Sequence, residues 1–263
     1  MRVALGVEYD GAGFFGWQVQ PDRPTVQATL GQALSAIAGG PVDIVCAGRT
    51  DTGVHALMQV VHFDTAAVRP LSAWVKGVNA HLPASVVVLW ARWVAQDFHA
   101  RFSALARSYE YVLLNRAVRP AAGARQMGWF HLPLDLARMQ AAARSLVGRH
   151  DFSAFRSAEC QARSPIRDLS SLEISRHGDI IRFSLEANAF LHHMVRNIVG
   201  SLVYVGKGRQ PPEWVAEVLR SGDRSRAAPT FSPHGLYLAG VHYGPEWGLP
   251  APERASPAAL LKP

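Results

Sequence analysis

Apolar and polar residues follow two different periods along residues 1–115. A period of two from Val3 to Tyr9 predicts an opening β-strand. A helical period then begins at Thr25, a residue type that caps helices, and the glycine pair Gly39 and Gly40 would end that helix. Runs of β-branched and aromatic residues predict further strands at 43–47, 58–63, 86–93 and 107–114, with a short helix at 72–78.

The second half of the chain has the same mixture of periods. Asp135 is suited to cap a helix that Gly148 would end. A longer helix is predicted from Phe190 to Val203, because apolar residues recur there at helical spacing. Strands predicted at 171–175, 180–187 and 236–243 and a short helix at 212–220 complete the pattern. The two halves together predict an α+β fold.

The periods are interrupted near residues 115–125, which predicts a boundary between two lobes. We expect an N-terminal lobe at 1–115 and a C-terminal lobe at 125–244. The tail at 245–263 is rich in Pro and Ala, so we expect it to lie on the surface or to be disordered. DFHARFSA at 97–104 is echoed by HDFSAFRSA at 150–158, which suggests that the two lobes are related by duplication.

Composition favours a polyanionic partner. The 263 residues are 49% hydrophobic, enough to bury a substantial core. Lys and Arg number 27 against 20 Asp and Glu, which gives a formal charge of +7. The pI is about 9.9. Such a charge makes nucleic acid the first candidate partner, although charge alone is equally compatible with a merely basic protein.

Cysteine usage indicates a reducing compartment, and hydropathy predicts no membrane-spanning helix. Cys46 and Cys160 are the two cysteines of the sequence, and they form neither a CxxC pair nor a zinc-site spacing. No stretch approaches the roughly 20 apolar residues that a membrane helix needs. We expect a cytoplasmic protein that binds no metal.

The stretch CAGRTDTGVHA at 46–56 carries the strongest chemical signal. Gly48 and Gly53 stand on either side of Arg49 and Asp51, and glycines there permit a tight turn that exposes a carboxylate after a strand. If the backbone stays extended, Arg49 and Asp51 point to one face, where the guanidinium would favour the ionised carboxylate. Such an aspartate is a competent nucleophile. From these residues alone, an Asx-turn with a purely structural role is the other interpretation.

Several segments together resemble one family. GRTDTGVHA resembles the signature of the TruA family of tRNA pseudouridine synthases, and further segments similar to that family occur in its order from residue 8 to about 240. They are EYDGAGFFGWQ, TVQ, FHARFSA, RSYEY, HDFSAF, NAFLHHMVRNIVGSL and HGLYL. Thr52 departs from the family, which usually has Ala there, and a small polar residue should fit that position.

The resemblance implies a fold and an activity. The fold would be the α+β pseudouridine synthase fold, with two similar lobes, mixed and largely antiparallel sheets flanked by helices, and a central basic cleft. The protein would act as a homodimer and convert uridine to pseudouridine at positions 38, 39 and 40 of the tRNA anticodon stem-loop. That isomerisation needs no cofactor and no metal, in agreement with a sequence that lacks Rossmann, Walker and zinc signatures.

The resemblance also implies roles for individual residues. Asp51 would be the catalytic nucleophile, with Arg49 and Arg196 beside it, and Tyr109 would contact the target base. Attack on C1′, attack on the base and proton removal towards a glycal are all open to Asp51. RNA contacts would come from two segments: Phe98, His99, Ala100, Arg101 and Phe102, and Glu159, Cys160, Gln161, Ala162 and Arg163.

Two other functions compete with this hypothesis. A non-catalytic RNA-binding protein or RNA chaperone could keep the same fold, although the intact set of Asp51, Tyr109 and Arg196 counts against it. A nucleoside or glycoside hydrolase would release free base, but glycoside hydrolysis usually needs two carboxylates. Analysis of the product separates the three.

Overall fold

The computed structural model describes residues 1–252, and these divide into two compact units. The first unit comprises Met1–Leu105 together with the described residues from Tyr237 onward. The second unit comprises Ala106–Leu236. Of the tail expected at 245–263, Pro245–Trp247 form a 3-10 turn, and residues 253–263 lie outside the described part.

Strands and helices both occur in residues 1–252, which confirms the α+β prediction. The strands are β1 (Arg2–Tyr9), β2 (Val45–Cys46), β3 (His55–Asp64), β4 (Val86–Val94), β5 (Ala104–Asn115), β6 (Gly128–Phe130), β7 (Gly148–Asp151), β8 (Ile166–His177), β9 (Ile180–Ala187) and β10 (Leu236–Tyr243). The α-helices are α1 (Val26–Ala38), α2 (Leu136–Ala143), α3 (Met194–Gly206) and α4 (Glu213–Ser221). Ala73–Gly77 form a short π-helical segment, inside the helix predicted at 72–78.

The first unit contains a mixed sheet. Its strand order is β4-β1-β3-β10, with β2 paired antiparallel to β3. β1 is antiparallel to both neighbours, whereas β10 runs parallel to β3. α1 begins where the sequence predicts, because the Thr25 side chain accepts a hydrogen bond from the amide of Ala28. It ends at Gly39, whose φ of 75° is left-handed and favours glycine.

The second unit contains an antiparallel sheet in the order β5-β9-β8-β7, and β6 pairs parallel with β5. Asp135 caps α2 as predicted, since its carboxylate accepts from the amide of Arg138. α3 is the most buried helix of the described chain, with eleven of its residues in the core. Met139, Leu146 and Phe183 of the same unit are also fully buried.

The structure corrects the predicted bounds of two elements, α3 and β2. α3 begins at Met194 and not at Phe190, because His193 takes a left-handed φ of 63° that interrupts the helical backbone. His192 and His193 therefore precede the helix, and their rings lie 4.0 Å apart instead of pointing 100° apart as on a helix. β2 is limited to two residues of the strand predicted at 43–47. No helix within residues 1–252 is long and apolar enough to cross a membrane.

Candidate active site

Asp51 lies in a tight loop between β2 and β3 of the first unit. Asp51 itself is half-buried, whereas Thr50 and Gly53 on either side are buried. Gly53 has a φ of 77°, and the next amide, that of Val54, donates to the carbonyl of Asp51 over 3.1 Å. The glycine therefore allows the chain to reverse directly after Asp51, as the motif predicts. This loop places a carboxylate near the surface on a backbone that is fixed by hydrogen bonds.

The segment Phe14–Trp17 clamps the Asp51 loop on both sides. The amide of Trp17 donates to the carbonyl of Thr50 over 3.0 Å, and the amide of Gly53 donates to the carbonyl of Phe14 over 3.4 Å. Gly16 lies between them with a φ of 85°, and a Cβ there would lie 2.8 Å from the Thr50 oxygen. Gly16 thus permits the close approach of the two segments. We name the two hydrogen bonds, Trp17 to Thr50 and Gly53 to Phe14, the backbone clamp.

Side chains hold the residues that precede Asp51. The hydroxyls of Tyr9 and Thr50 are hydrogen-bonded over 2.8 Å in the interior. Gln59 of β3 is fully buried, and its amide group donates to the carbonyl of Gly48 over 2.6 Å while its oxygen accepts from the Gly48 amide over 3.4 Å. The loop is therefore fixed from Gly48 to Gly53 by groups of the same unit.

Two arginines of the predicted site act electrostatically on one thiol. Burial raises the pKa of Cys46 to about 12, and the positive charges of Arg49 and Arg101 act against that shift. Arg49 and Arg101 are themselves exposed. The structure thus brings the arginine of the Asp51 loop and the arginine of FHARF to the same region of the first unit.

The first part of the FHARF segment is a buried anchor. Phe98 is fully buried, and its ring packs 5.3 Å from the ring of Tyr243 and 5.1 Å from that of Trp247. Ala100 is also fully buried; its carbonyl accepts from the Tyr243 hydroxyl over 2.6 Å, and its amide donates to Nδ1 of His62 over 3.1 Å. In this structure Phe98 and Ala100 hold the segment in place, and the exposed side chains follow them.

The second part of the segment presents Arg101 and Phe102 to the solvent. Nδ1 of His99 accepts the amides of both residues over 3.2 Å, and its ring lies 4.3 Å from the Phe102 ring. Phe102 remains 75% exposed, with the Arg101 guanidinium 5.5 Å from its ring centre. Burial, together with the charge of Arg2, lowers the pKa of His99, which keeps its ring neutral and able to accept.

Tyr109 lies on β5 in the second unit. Its side chain is 9% exposed, and its ring packs edge to face against Phe190 at 4.9 Å. Tyr111, two residues along the strand, is fully buried and donates its hydroxyl to the carbonyl of Ser232 over 2.8 Å. Burial raises the pKa of Tyr111. Tyr111 is thus a packing residue.

Arg196 lies in the first turn of α3 and is oriented by Phe231. Its Nε donates to the carbonyl of Phe231 over 2.8 Å, and the amide of Phe231 donates back to the carbonyl of Arg196 over 3.3 Å. The neighbouring side chain Asn197 is fully buried; it donates to the carbonyl of Phe155 over 2.7 Å and accepts from the Thr230 hydroxyl over 2.7 Å. The Nε bond therefore orients the Arg196 side chain, and the Asn197 bonds hold the first turn of α3 that carries it.

The segment 159–163 forms a loop before β8. The amide of Cys160 donates to the carbonyl of Ser157 over 3.1 Å, and the amide of Glu159 bonds to the Ser157 hydroxyl over 3.4 Å. Glu159, Gln161 and Arg163 are exposed, whereas Cys160 and Ala162 are half-buried. The exposed positions of this loop are available to a polyanion.

The sequence analysis missed the residues that hold the site. Phe14–Trp17, Gln59 and Phe231 act through backbone and amide contacts with residues 11 to 39 positions away along the chain. Gly16 in the segment GFFGW was the available signal for the backbone clamp, because a glycine among apolar residues often marks a close approach of another backbone.

Comparison with known proteins identifies the family. A family model described as tRNA pseudouridine synthase matches residues 6–103 and 142–244. The chain is 58% identical over 262 residues to "tRNA pseudouridine synthase A" of Dechloromonas aromatica (strain RCB), covering 100% of both chains. It is 57% identical over 259 residues to "tRNA pseudouridine synthase A" of Thiobacillus denitrificans (strain ATCC 25259 / T1), covering 98% of this chain and 100% of the relative.

The chain therefore belongs to the tRNA pseudouridine synthase family, which confirms the resemblance stated from its motifs. It has the pseudouridine synthase fold. The protein is an isomerase that converts uridine to pseudouridine in tRNA.

Proposed function

We propose that this isomerase acts on uridines 38, 39 and 40 of the tRNA anticodon stem-loop, with Asp51 as its nucleophile. The observation that carries the proposal is the fixed loop around Asp51, where the backbone clamp and Gly53 hold a half-buried carboxylate after a strand. Catalysis by a nucleophile gains most when the reacting group is held in one geometry before the substrate binds. The target positions rest on the resemblance of the motifs to those of the TruA family.

The reaction conserves every atom of the base. The bond between C1′ and N1 of uridine breaks, the base rotates, and a bond between C1′ and C5 forms while C5 loses a proton and N1 gains one. No oxidant or reductant is needed. Water must be excluded, because it would otherwise hydrolyse a reactive intermediate. We assign the attack to Asp51 and the support of developing charge to Arg49 and to Arg196, whose side chain the Phe231 carbonyl orients.

The remaining predicted site residues are proposed to bind substrate. Tyr109 contacts the target base, and the exposed side chains Arg101, Phe102 and Arg163 contact RNA. Phe98, His99, Ala100, Glu159, Cys160, Gln161 and Ala162 shape the two segments that carry those contacts. We further propose that the enzyme is a cytoplasmic homodimer.

The decisive experiment measures tritium release from tRNA labelled with tritium at C5 of uridine. Formation of the C5 bond expels that hydrogen, so release reports isomerisation directly. We expect Asp51→Ala and Asp51→Asn to reduce release by at least about 1,000-fold while tRNA binding persists, because the phosphate contacts remain. Asp43→Asn, which alters an exposed aspartate before β2, is the matched control and should retain full activity.

The other outcomes separate the competing functions. Full release by a verified Asp51→Ala protein would refute the nucleophile assignment. Tight tRNA binding with no release by the unmodified protein would favour the non-catalytic RNA-binding protein. Free uracil among the products would favour a hydrolase. Mapping pseudouridine within the released product tests positions 38, 39 and 40 separately from the role of Asp51.

A further inference from the structure

An exposed aromatic side chain lies beside the Asp51 loop and is already covered by a cation. Phe15 is 37% exposed, although both neighbours in the segment, Phe14 and Trp17, are buried. The guanidinium carbon of Arg23 lies 4.5 Å from the centre of the Phe15 ring. Arg23 is itself exposed. The Phe15 ring is thus the partly exposed aromatic of a segment whose other two aromatic side chains are buried.

Hydrogen bonds hold this pair in place. The amide of Phe15 donates to the carbonyl of Pro24 over 2.9 Å, and the Gln20 side-chain amide donates to the carbonyl of Phe15 over 2.7 Å. Gln20 and Arg23 also form an isolated antiparallel bridge. Both backbone groups of Phe15 are therefore used, and the loop that carries Arg23 is closed onto it. The ring and the guanidinium are ordered before any partner binds, which lowers the entropy cost of binding.

The backbone clamp fixes the pair next to Asp51. Phe15 lies between Phe14, whose carbonyl accepts the Gly53 amide, and Trp17, whose amide donates to Thr50. Thr50 and Gly53 are on the two sides of Asp51, so the backbones of Phe15 and Asp51 face each other across these two bonds. A Cβ on the intervening Gly16 would lie only 3.1 Å from the carbonyl carbon of Asp51. The clamp thus places the backbone of Phe15 next to the backbone of Asp51.

The chemistry of the pair fits an unstacked nucleotide. Bases in single-stranded loops stack on aromatic rings and on guanidinium planes, and such stacking accepts every base because each has a π-face. The positive charge of Arg23 adds attraction to the phosphates of the same strand. We propose that Phe15 and Arg23 form a stacking platform for an unpaired base of the RNA substrate adjacent to the target uridine. This inference rests on the proposed function only in taking Asp51 as the reaction site.

The platform predicts a loss that depends on one base of the RNA. Phe15→Leu keeps an apolar side chain of similar size but removes the π-face, so we expect it to weaken binding of an anticodon stem-loop RNA by roughly 10-fold. Phe15→Trp should restore binding, and Arg23→Gln should give a smaller loss. Trp93→Leu, which changes an exposed aromatic on β4, is the matched control and should leave affinity unchanged.

A double-substitution cycle tests the contact itself. Each unpaired loop nucleotide is replaced in turn by an abasic site, and dissociation constants are measured with the unmodified protein and with Phe15→Leu. One abasic position should cost the unmodified protein roughly 10-fold and cost Phe15→Leu almost nothing, because the same contact has already been removed. Equal losses in both proteins at every position would overturn the platform.

Two controls keep the result interpretable. If the Phe15 and Arg23 pair only stabilises its own loop, Phe15→Leu lowers the midpoint of urea unfolding and weakens all RNAs equally, which also contradicts the platform. The cycle reads binding and uses no turnover, so it gives an answer even when tritium release shows that Asp51 is not the nucleophile. Failure of the platform with an inactive Asp51→Ala protein would leave the proposed function intact.

Discussion

Two short segments, one in each unit, have a similar sequence and the same burial over four residues and then differ. Asp97–Ala100 reads DFHA and Asp151–Ala154 reads DFSA. In both, the aspartate is exposed, the phenylalanine and alanine are fully buried, and the residue between them is half-buried. The same local pattern therefore serves as an anchor in each unit. This correspondence extends the echo seen in the sequence to the level of burial.

The two residues after the anchor differ in order and in exposure. The first unit continues with Arg101 and Phe102, both exposed, whereas the second continues with Phe155, which is fully buried, and Arg156, which is half-buried. Reversing the order of one aromatic and one arginine moves the ring from solvent into the core. A shared anchor thus carries an exposed, RNA-competent pair in one unit and additional packing in the other.

The two segments also differ in the groups that accept their amides. In the first unit the acceptors are imidazoles: His62 binds the amide of Ala100, and His99 binds those of Arg101 and Phe102. In the second unit the carboxylate of Asp151 accepts the amide of Ser153 over 2.8 Å. A histidine that must stay neutral in order to accept contributes less stability as the pH falls below the ordinary imidazole pKa of about 6.5. The first segment should therefore be the more sensitive to mild acid.

The largest effect should come from removing either buried ring. Phe98→Ala and Phe152→Ala should each lower the free energy of unfolding by about 3–5 kcal/mol, because each leaves a cavity in a packed core. Phe102→Ala, at the exposed ring, should change it by less than about 0.5 kcal/mol. Urea unfolding followed by fluorescence measures all three. A small effect at only one anchor would break the correspondence between the segments.

A pH-dependent effect of intermediate size should belong to the first unit. Burial, with the charges of Arg2 and His99, lowers the pKa of His62 from 6.5 to about 4, although Asp64 acts in the opposite direction. Because the folded state holds His62 neutral, its contribution is complete above pH 6.5 and is lost as the pH falls from 6.5 towards 4. The loss should reach at most about 3 kcal/mol.

His62→Asn tests this assignment, because the Asn oxygen can accept the Ala100 amide but does not titrate. Urea unfolding at pH 7.5 and pH 4.5 should show a smaller difference between the two pH values for the variant than for the unmodified protein. An identical pH dependence in both proteins would mean that other groups determine the acid sensitivity of the first unit.

The smallest effect should appear at the exposed arginine of the first segment. Arg101→Gln should leave stability unchanged and weaken tRNA binding by about 1 kcal/mol at low salt, since it removes one phosphate contact. The slope of log Kd against log salt should fall by about 1. Arg92→Gln, at another exposed arginine of the first unit, is the control. If both variants keep the full slope, Arg101 makes no phosphate contact and the contrast between the segments is one of packing alone.

Local signals in the sequence were enough for most of the fold. Thr25 and Gly39 bound α1 because the side-chain oxygen of one and the left-handed φ of the other act within a single turn. The start of α3 was missed because the left-handed backbone of His193, a non-glycine residue, leaves no mark in the apolar spacing. β6 and β7, of three and four residues, are too short to show a period.

The candidate site could be predicted only in part, for a similar reason. Asp51 stood out because its glycines are next to it in the sequence. The Phe231 carbonyl that orients Arg196 is 35 residues away along the chain. Because every residue type has a backbone carbonyl, the sequence carries no signal for this contact. The separation of FHARF into a buried anchor and an exposed pair likewise depends on Tyr243 and Trp247, which lie far along the chain.

The backbone clamp has a consequence for how this enzyme tolerates mutation. Its two bonds join main-chain atoms of Phe14, Trp17, Thr50 and Gly53, so most side-chain replacements at the three non-glycine positions leave the hydrogen-bonding groups in place, whereas the φ of 77° at Gly53 favours glycine. Proline is the exception at Trp17 and Gly53, since it has no amide hydrogen to donate. Insertions and deletions should be tolerated less well, because a change in the length of either segment shifts both hydrogen bonds of the clamp. Apart from Gly16 and Gly53, the two loops can therefore change in composition independently, but they can change in length only as a matched pair.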